Sequence, residues 1–265
     1  NIFLGAGLMT IALGVLVLLL VPESIAYTIR RNAEHALETV NRSLTIIGQK
    51  VIDQLPTVPE ETRSESATVI SLLTPARRRA TLLCWTAFFL SFLVVYFVSS
   101  WMPQVLTGAG LSQQQAIQGA TALPLGAILG NMLIGWLATK WGLNKPIVIA
   151  FLTGTVFMVC MSAILPGIEN VAFTLIWIML FIIGVTVLGA FGNLYNVALA
   201  LYPVQIRSTG LGWAAGLGRA GAVISPTLAG VMMGVGMSMP SIFLLFALPA
   251  FLAAVAVAFM RIRES

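Results

Sequence analysis

Predominantly apolar stretches of span length recur along the chain at residues 2–21, 80–103, 115–138, 146–165, 171–201, 208–235 and 241–260. A bilayer core about 30 Å thick is crossed by about 20 residues of helix, and a helix satisfies its own backbone polar groups where no water can. The pattern therefore predicts an all-α integral membrane protein with seven transmembrane helices. One charge interrupts them, Arg219 in the sixth.

The long polar segment is 22–79. After Pro22, Glu23 and Ser24, the apolar positions Ile25, Ile29, Ala33, Leu37, Val40, Leu44 and Ile47 fall at helical spacing, and Arg30/Glu34 and Glu38/Arg42 stand four apart. That spacing predicts an amphipathic helix lying on the membrane face or the ends of the spans. Residues 54–68 read as a linker. Val69–Leu73 and the Arg77–Arg79 run then anchor the next span at the headgroups. The expected organisation is a helix at 1–21, a cytoplasmic loop at 22–79, a six-helix bundle at 80–260 and a tail at 261–265.

Composition agrees with the pattern: 9% of the residues are charged and 58% hydrophobic, against roughly 25% charged in a soluble domain. Mean hydropathy is +0.98. The basic residues set an orientation, because Lys and Arg gather in cytoplasmic loops. Arg30, Arg31, Arg42, Lys50, Arg63 and Arg77–Arg79 precede the second span, Lys140 and Lys145 follow the third, Arg207 precedes the sixth, and Arg261 and Arg263 follow the seventh. The alternate loops near 104–114, 166–170 and 236–240 carry no Lys or Arg. The C-terminus is thus expected in the cytoplasm, in a multi-pass protein of the inner (plasma) membrane. The chain opens directly in an apolar helix with no initiator Met and no charged region ahead of it, which reads as a piece lacking upstream spans. Cys84 and Cys160 lie within spans and read as small apolar fillers; His35, the single histidine, reads as a solvated loop residue.

Gly216, Gly218 and Gly221 spell G-x-G-x-x-G, the outline of a dinucleotide loop. That motif requires a strand before it, a helix opening on it and an acidic residue about 20 positions on. Here the stretch continues an apolar helix, and the next acid is Glu264. Small residues three or four apart have a simpler role in membranes, letting helix backbones approach; Gly126 with Gly130 and Gly212 with Gly216 are such pairs. No metalloprotease, nucleophile-elbow or metal-ligand spacing occurs, and no span carries Asp, Glu, His or Lys. An enzyme, a metal, a cofactor and a nucleic-acid partner are not expected. A seven-helix receptor or sensor remains open on topology, although no intramembrane lysine is present for a retinal link and the loop after the first span is long.

Several motifs carry a resemblance. LVPESIAYTIRR at 20–31 is similar to the P-E-S sequence closing the sixth helix of major facilitator superfamily carriers. GWLATKWGLNK at 135–145 is similar to the C-half copy of their cytoplasmic loop, with Gly135, Leu137, Lys140, Gly142 and Lys145 in register and Thr139 where an Asp is usual. VNRSLTIIGQKVIDQLP, TLLCWTAFFLSFLVVYFVSSWMPQVLTGAGLSQQQA and YPVQIRSTGLGWAAGLGRAGAVISP resemble the aromatic acid:proton symporters of that superfamily. The resemblance implies the sixth helix, central loop and last six helices of a twelve-helix carrier, partnered by its N-terminal half, the lipid bilayer, protons and a small organic anion such as a benzoate or hydroxybenzoate. Related sugar and organic-ion carriers share some of these patterns. Spans three and six, each rich in Gly and Ala and holding Pro124 and Pro226, resemble the pair that faces the N-terminal half.

Arg219 stands 11 residues past Ser208, roughly 16 Å along a helix and near mid-bilayer. A charge there is costly and faces a cavity or a partner. Two readings stand at this point: a pair with a carboxylate of the other half or a cap on helix carbonyls, and a guanidinium that meets the substrate carboxylate. Arg207 reads as a gate or interface charge. Phe92, Tyr96 and Ser99 share one face of the second span, and Asn193 and Asn196 one face of the fifth, where they offer stacking and hydrogen-bonding groups to an aromatic anion or simply pack. Trp85, Trp136 and Trp141 read as interface anchors.

Overall fold

A computed structural model describes residues 2–20, 36–46, 48–55 and 68–260. Among them every regular element is helical, and the chain forms two compact units, 1–64 and 65–265.

In the first unit α1 (Ile2–Leu20) is apolar but for Thr10. Helix α2 (Ala36–Ile46) is the described part of the amphipathic segment; Ile25, Ile29, Ala33, His35, Ile47 and most of the 54–68 linker lie outside the described residues. Its buried positions Ala36, Val40 and Ser43 follow i, i+4, i+7 and so share one face. The Asn41 amide holds the chain that follows: its Nδ2 donates to the Ile52 carbonyl at 2.9 Å, and the Ile52 N–H donates back to its Oδ1 at 2.8 Å.

The second unit runs α3 (Val69–Leu72), α4 (Arg78–Gly108), α5 (Gln113–Ala120), α6 (Ala122–Trp141), α7 (Asn144–Ile164) with a 3-10 turn at Leu165–Asn170, α8 (Phe173–Ile183), a π turn at Gly184–Leu188, α9 (Gly189–Leu201), α10 (Arg207–Gly234) and α11 (Met239–Ala258). Five helical stretches are long and apolar enough to cross a membrane: 78–108, 113–141, 144–170, 173–201 and 239–258. Helix α10 has 28 residues, but seven glycines and Arg219 lower its apolarity. The short α5 begins at a capping box, in which Ser112 and Gln115 each satisfy the other's backbone N–H.

Helix α4 is central, packed between α10 and α11. Phe97 stacks flat on Phe246 at 4.0 Å and edge-on to Phe243 at 5.6 Å. Lipid gives helices no hydrophobic reason to associate, so close packing and interhelical hydrogen bonds do that work. Ser225 Oγ donates to the Leu93 carbonyl at 2.6 Å, Ser162 Oγ to the Pro240 carbonyl at 2.7 Å, and Asn144 Nδ2 to the Met260 carbonyl at 2.6 Å.

Two glycine seats set the closest approaches. On α6, side chains at Gly126 and Gly130 would strike the carbonyls of Phe181 and Val185, and across the seam one at Gly184 would strike the Leu123 carbonyl. The π turn lies at this seam, where Thr186 Oγ1 donates to the Ile182 carbonyl at 2.6 Å. A π turn inserts one residue into a helix, so the continuous span expected over 171–201 is locally rewound where the backbones meet. On α10, Gly221 lies against the Phe89 carbonyl, and a Cβ at Gly218 would come within 2.6 Å of the Phe92 ring. Side chains at Gly212 and Gly216 would meet no neighbouring helix among the described residues; with Thr209, Trp213 and Leu217 they line an open groove. Cys84 is buried and Cys160 exposed, both as free thiols.

Candidate functional site

Helix α4 places Phe88, Phe92 and Tyr96 four residues apart, one turn each, so their rings form a stripe. Phe92 lies between Phe88 at 6.5 Å and Tyr96 at 5.9 Å. Helix α9 meets the stripe with its own i, i+4 pair: Phe191 sits edge-on to Phe92 at 4.7 Å, and Tyr195 edge-on to Phe88 at 5.1 Å. Phe191 and Tyr195 are edge-on to each other at 5.8 Å. Phe88 and Phe92 are buried, Tyr195 is half-buried and Tyr96 is exposed.

Arg219 joins this wall through its neighbour Gly218, which is wedged against Phe92 and Phe88. The missing side chain at 218 lets α10 lie close to α4, and Arg219 comes out exposed at the same level. The Tyr195 hydroxyl is within electrostatic range of its guanidinium and of the Tyr96 hydroxyl. Among the described residues no carboxylate pairs with Arg219; the one acid in the spanning stretches is Glu169, in the 3-10 turn that ends 144–170.

The other expected residues divide. Asn193 is 3% exposed and its Nδ2 donates to the carbonyls of Asn131 at 3.2 Å and Gly189 at 3.0 Å, so it ties α9 to α6. Asn196 is exposed, with its Nδ2 donating to Asn193 Oδ1 at 3.2 Å. Ser99 is exposed on α4, a turn beyond Tyr96. The ring pair Phe191/Tyr195 and Phe88 carried a legible signal, the i, i+4 aromatic spacing on both helices. Asn131, whose Nδ2 donates to the Ala127 carbonyl at 2.8 Å, carried none.

The basic ends of the helices lie apart from this wall. Arg207 Nε donates to the Tyr202 carbonyl at 3.3 Å across the turn that opens α10. Burial pushes the Tyr202 phenol, just past the end of α9, up to about 12, and Gly210 packs on its ring. Gly142 ends α6 at φ 78°, a left-handed conformation that favours glycine. Lys140 Nζ lies 3.9 Å above the Trp136 ring, Lys145 is exposed, and Gly135 faces Asn193 Oδ1. Trp136 and Trp141 are exposed, whereas Trp85 is half-buried against Trp213 at 6.2 Å.

The sequence pattern of the Major Facilitator Superfamily matches residues 1–219 and 121–265. The chain belongs to that family. Similar members of the Major Facilitator Superfamily include a gallate transporter of Pseudomonas putida, 30% identical over 97% of this chain and 56% of the relative. A 4-hydroxybenzoate transporter of Pseudomonas aeruginosa is 28% identical over 97% and 56%, and a benzoate transport protein of Acinetobacter baylyi is 24% identical over 89% and 50%. These relatives are transporters rather than enzymes, and all three names are those of aromatic carboxylates. The chain spans about half the length of the curated relatives it matches.

Proposed function

We propose that this chain is the C-terminal part of a secondary carrier that takes up a small aromatic carboxylate, a benzoate or hydroxybenzoate, by alternating access of two halves. The observation that carries the reading is Arg219: an exposed guanidinium at mid-helix, beside a wall of five aromatic rings, with no carboxylate among the described residues paired to it. A cation at mid-bilayer without a partner is costly, and a planar guanidinium donates two parallel hydrogen bonds to a carboxylate. The rings supply stacking faces, and Asn196 and Ser99 supply polar groups at its edge.

In this reading α1 and α10 join the five apolar stretches as spans, giving seven, with 22–79 as the cytoplasmic central loop and the C-terminus in the cytoplasm of a cell bounded by the inner membrane. Protons couple to transport through carboxylates upstream, because the one acid in the spanning stretches described here, Glu169, lies in the 3-10 turn at the end of 144–170, away from the helix interiors. Gly212 and Gly216 face the upstream half, and Arg207, with the 135–145 loop, belongs to the cytoplasmic gate. The test is uptake of labelled benzoate and 4-hydroxybenzoate by the full-length protein in liposomes, with and without an inward proton gradient. Gradient-stimulated uptake of either is expected; uptake of neither, with sugars or organic cations taken up instead, would reject the reading.

A further inference from the structure

The wall beside Arg219 is not uniformly apolar. Phe88, Phe92 and Phe191 offer bare rings, but Tyr195 ends the α9 pair with a hydroxyl. Its ring is held edge-on by Phe88 at 5.1 Å and by Phe191 at 5.8 Å, so its plane and the direction of its hydroxyl are set before any ligand arrives. Fixing a rigid ring in advance lowers the ordering cost of a contact made later. Among the described residues no hydrogen bond engages that hydroxyl, and Tyr195 is half-buried rather than solvated.

Position along the helices completes the picture. Tyr195 lies at the level of Phe88, and Phe191 at the level of Phe92. Gly218 is wedged between those levels, where a side chain would come within 2.6 Å of the Phe92 ring and 3.1 Å of Phe88 Cβ. Arg219 therefore emerges within about one turn, roughly 5.4 Å, of the Tyr195 level. One turn is also the length scale of a single benzene ring. Beside Tyr195, Asn196 turns its amide nitrogen back to Asn193 Oδ1 at 3.2 Å, which leaves its own oxygen as an acceptor.

We propose that Tyr195 is a specificity-determining residue, which hydrogen-bonds a ring hydroxyl of the substrate while Arg219 holds the carboxylate. The inference rests on the carboxylate reading given above and narrows it to hydroxylated aromatic acids. An unsubstituted ring would give the Tyr195 hydroxyl no partner, whereas a ring hydroxyl would. Tyr96 is the alternative phenol, but it is exposed and braced by one ring, Phe92 at 5.9 Å, so its hydroxyl is less well placed to discriminate.

The experiment is competitive binding of benzoate and 4-hydroxybenzoate to the purified full-length protein, unaltered and as Tyr195→Phe. Loss of one hydrogen bond from a site built for it is expected to weaken 4-hydroxybenzoate about tenfold, with benzoate unchanged. Equal weakening of both acids, or an unchanged ratio, overturns the inference, as does collapse of the ratio in Tyr96→Phe instead. The unaltered protein gives a measure that needs no variant: 4-methylbenzoate, which fills the same space without a hydroxyl, should bind more weakly than 4-hydroxybenzoate, and equal binding counts against the inference. Binding of neither acid by the unaltered protein would instead sink the carboxylate reading itself.

Discussion

Ser225 on α10 donates its hydroxyl to the carbonyl of Leu93 on α4 across 2.6 Å, with both groups buried. Together with Gly218 and Gly221 it fixes the face that α10 turns to α4, and so fixes Arg219 at the edge of that face. Replacing Ser225 with Ala removes one buried hydrogen bond, worth about 1 kcal/mol. The full-length protein should unfold at a lower temperature in detergent, with substrate affinity retained because no ring of the wall moves. A Ser225→Ala protein of unchanged stability would mean that this bond contributes nothing to the seam.

The glycines of the two seams and those of the open groove should behave oppositely. Ala at Gly130 or Gly184 must push against backbone carbonyls of the facing segment, which cannot rotate away as a side chain could. Those variants should yield little folded protein by size-exclusion profile. Ala at Gly212 or Gly216 meets nothing among the described residues and should leave folding intact; if it stops uptake, the contact it disturbs lies outside them, on this account in the upstream half.

Tyr202 gives a pH signature. Its phenol is raised from 10.0 to about 12 chiefly by burial, so the folded protein holds that proton more tightly than the unfolded chain does. The resulting stability is complete below pH about 10 and is lost as pH rises through about 12. Thr81 is close enough to favour the ionised phenol slightly, but its own hydroxyl donates to the Leu72 carbonyl at 2.8 Å, and among the described residues the Tyr202 hydroxyl has no hydrogen bond of good geometry. Tyr202→Phe should therefore cost little at pH 7 and should resist alkaline unfolding better than the parent. Identical alkaline transitions in the two proteins would place the phenol in contact with water.

Orientation is tested by labelling. Cysteines introduced near Thr107 and Asn170 in the full-length protein should react with an impermeant reagent from outside intact cells, and cysteines near Ser66 and Asn144 should not. Labelling at Ser66 would invert the assignment.

The helices were legible because their apolar stretches are long and because lipid leaves a single segment few alternatives to a helix. The π turn at Gly184–Leu188 was not: it arises from the backbone contact of Gly184 and Gly189 with α6, and nothing in GVTVL announces it. Two of the five rings of the aromatic wall were readable, since Phe92 and Tyr96 share a helical face. Phe88, Phe191 and Tyr195 carried the same i, i+4 aromatic spacing, but which helix they face is settled only by α9 crossing α4 at that level. Asn193 shows the limit of a polar residue in a span as a signal, because its amide is occupied by the carbonyls of Asn131 and Gly189. Among the four glycines named from spacing, Gly126 and Gly130 meet backbone while Gly212 and Gly216 meet none, a difference that depends on which side of each helix faces the bundle.

The central claim, that Arg219 holds the substrate carboxylate, is tested most directly by exchange of labelled substrate across liposomes containing the full-length protein. Exchange requires binding and reorientation but no net proton movement. Arg219→Ala should reach the membrane and exchange nothing, and Arg219→Lys should recover little, since a point charge does not reproduce the planar fork. Exchange by Arg219→Ala at the parent rate would contradict the account.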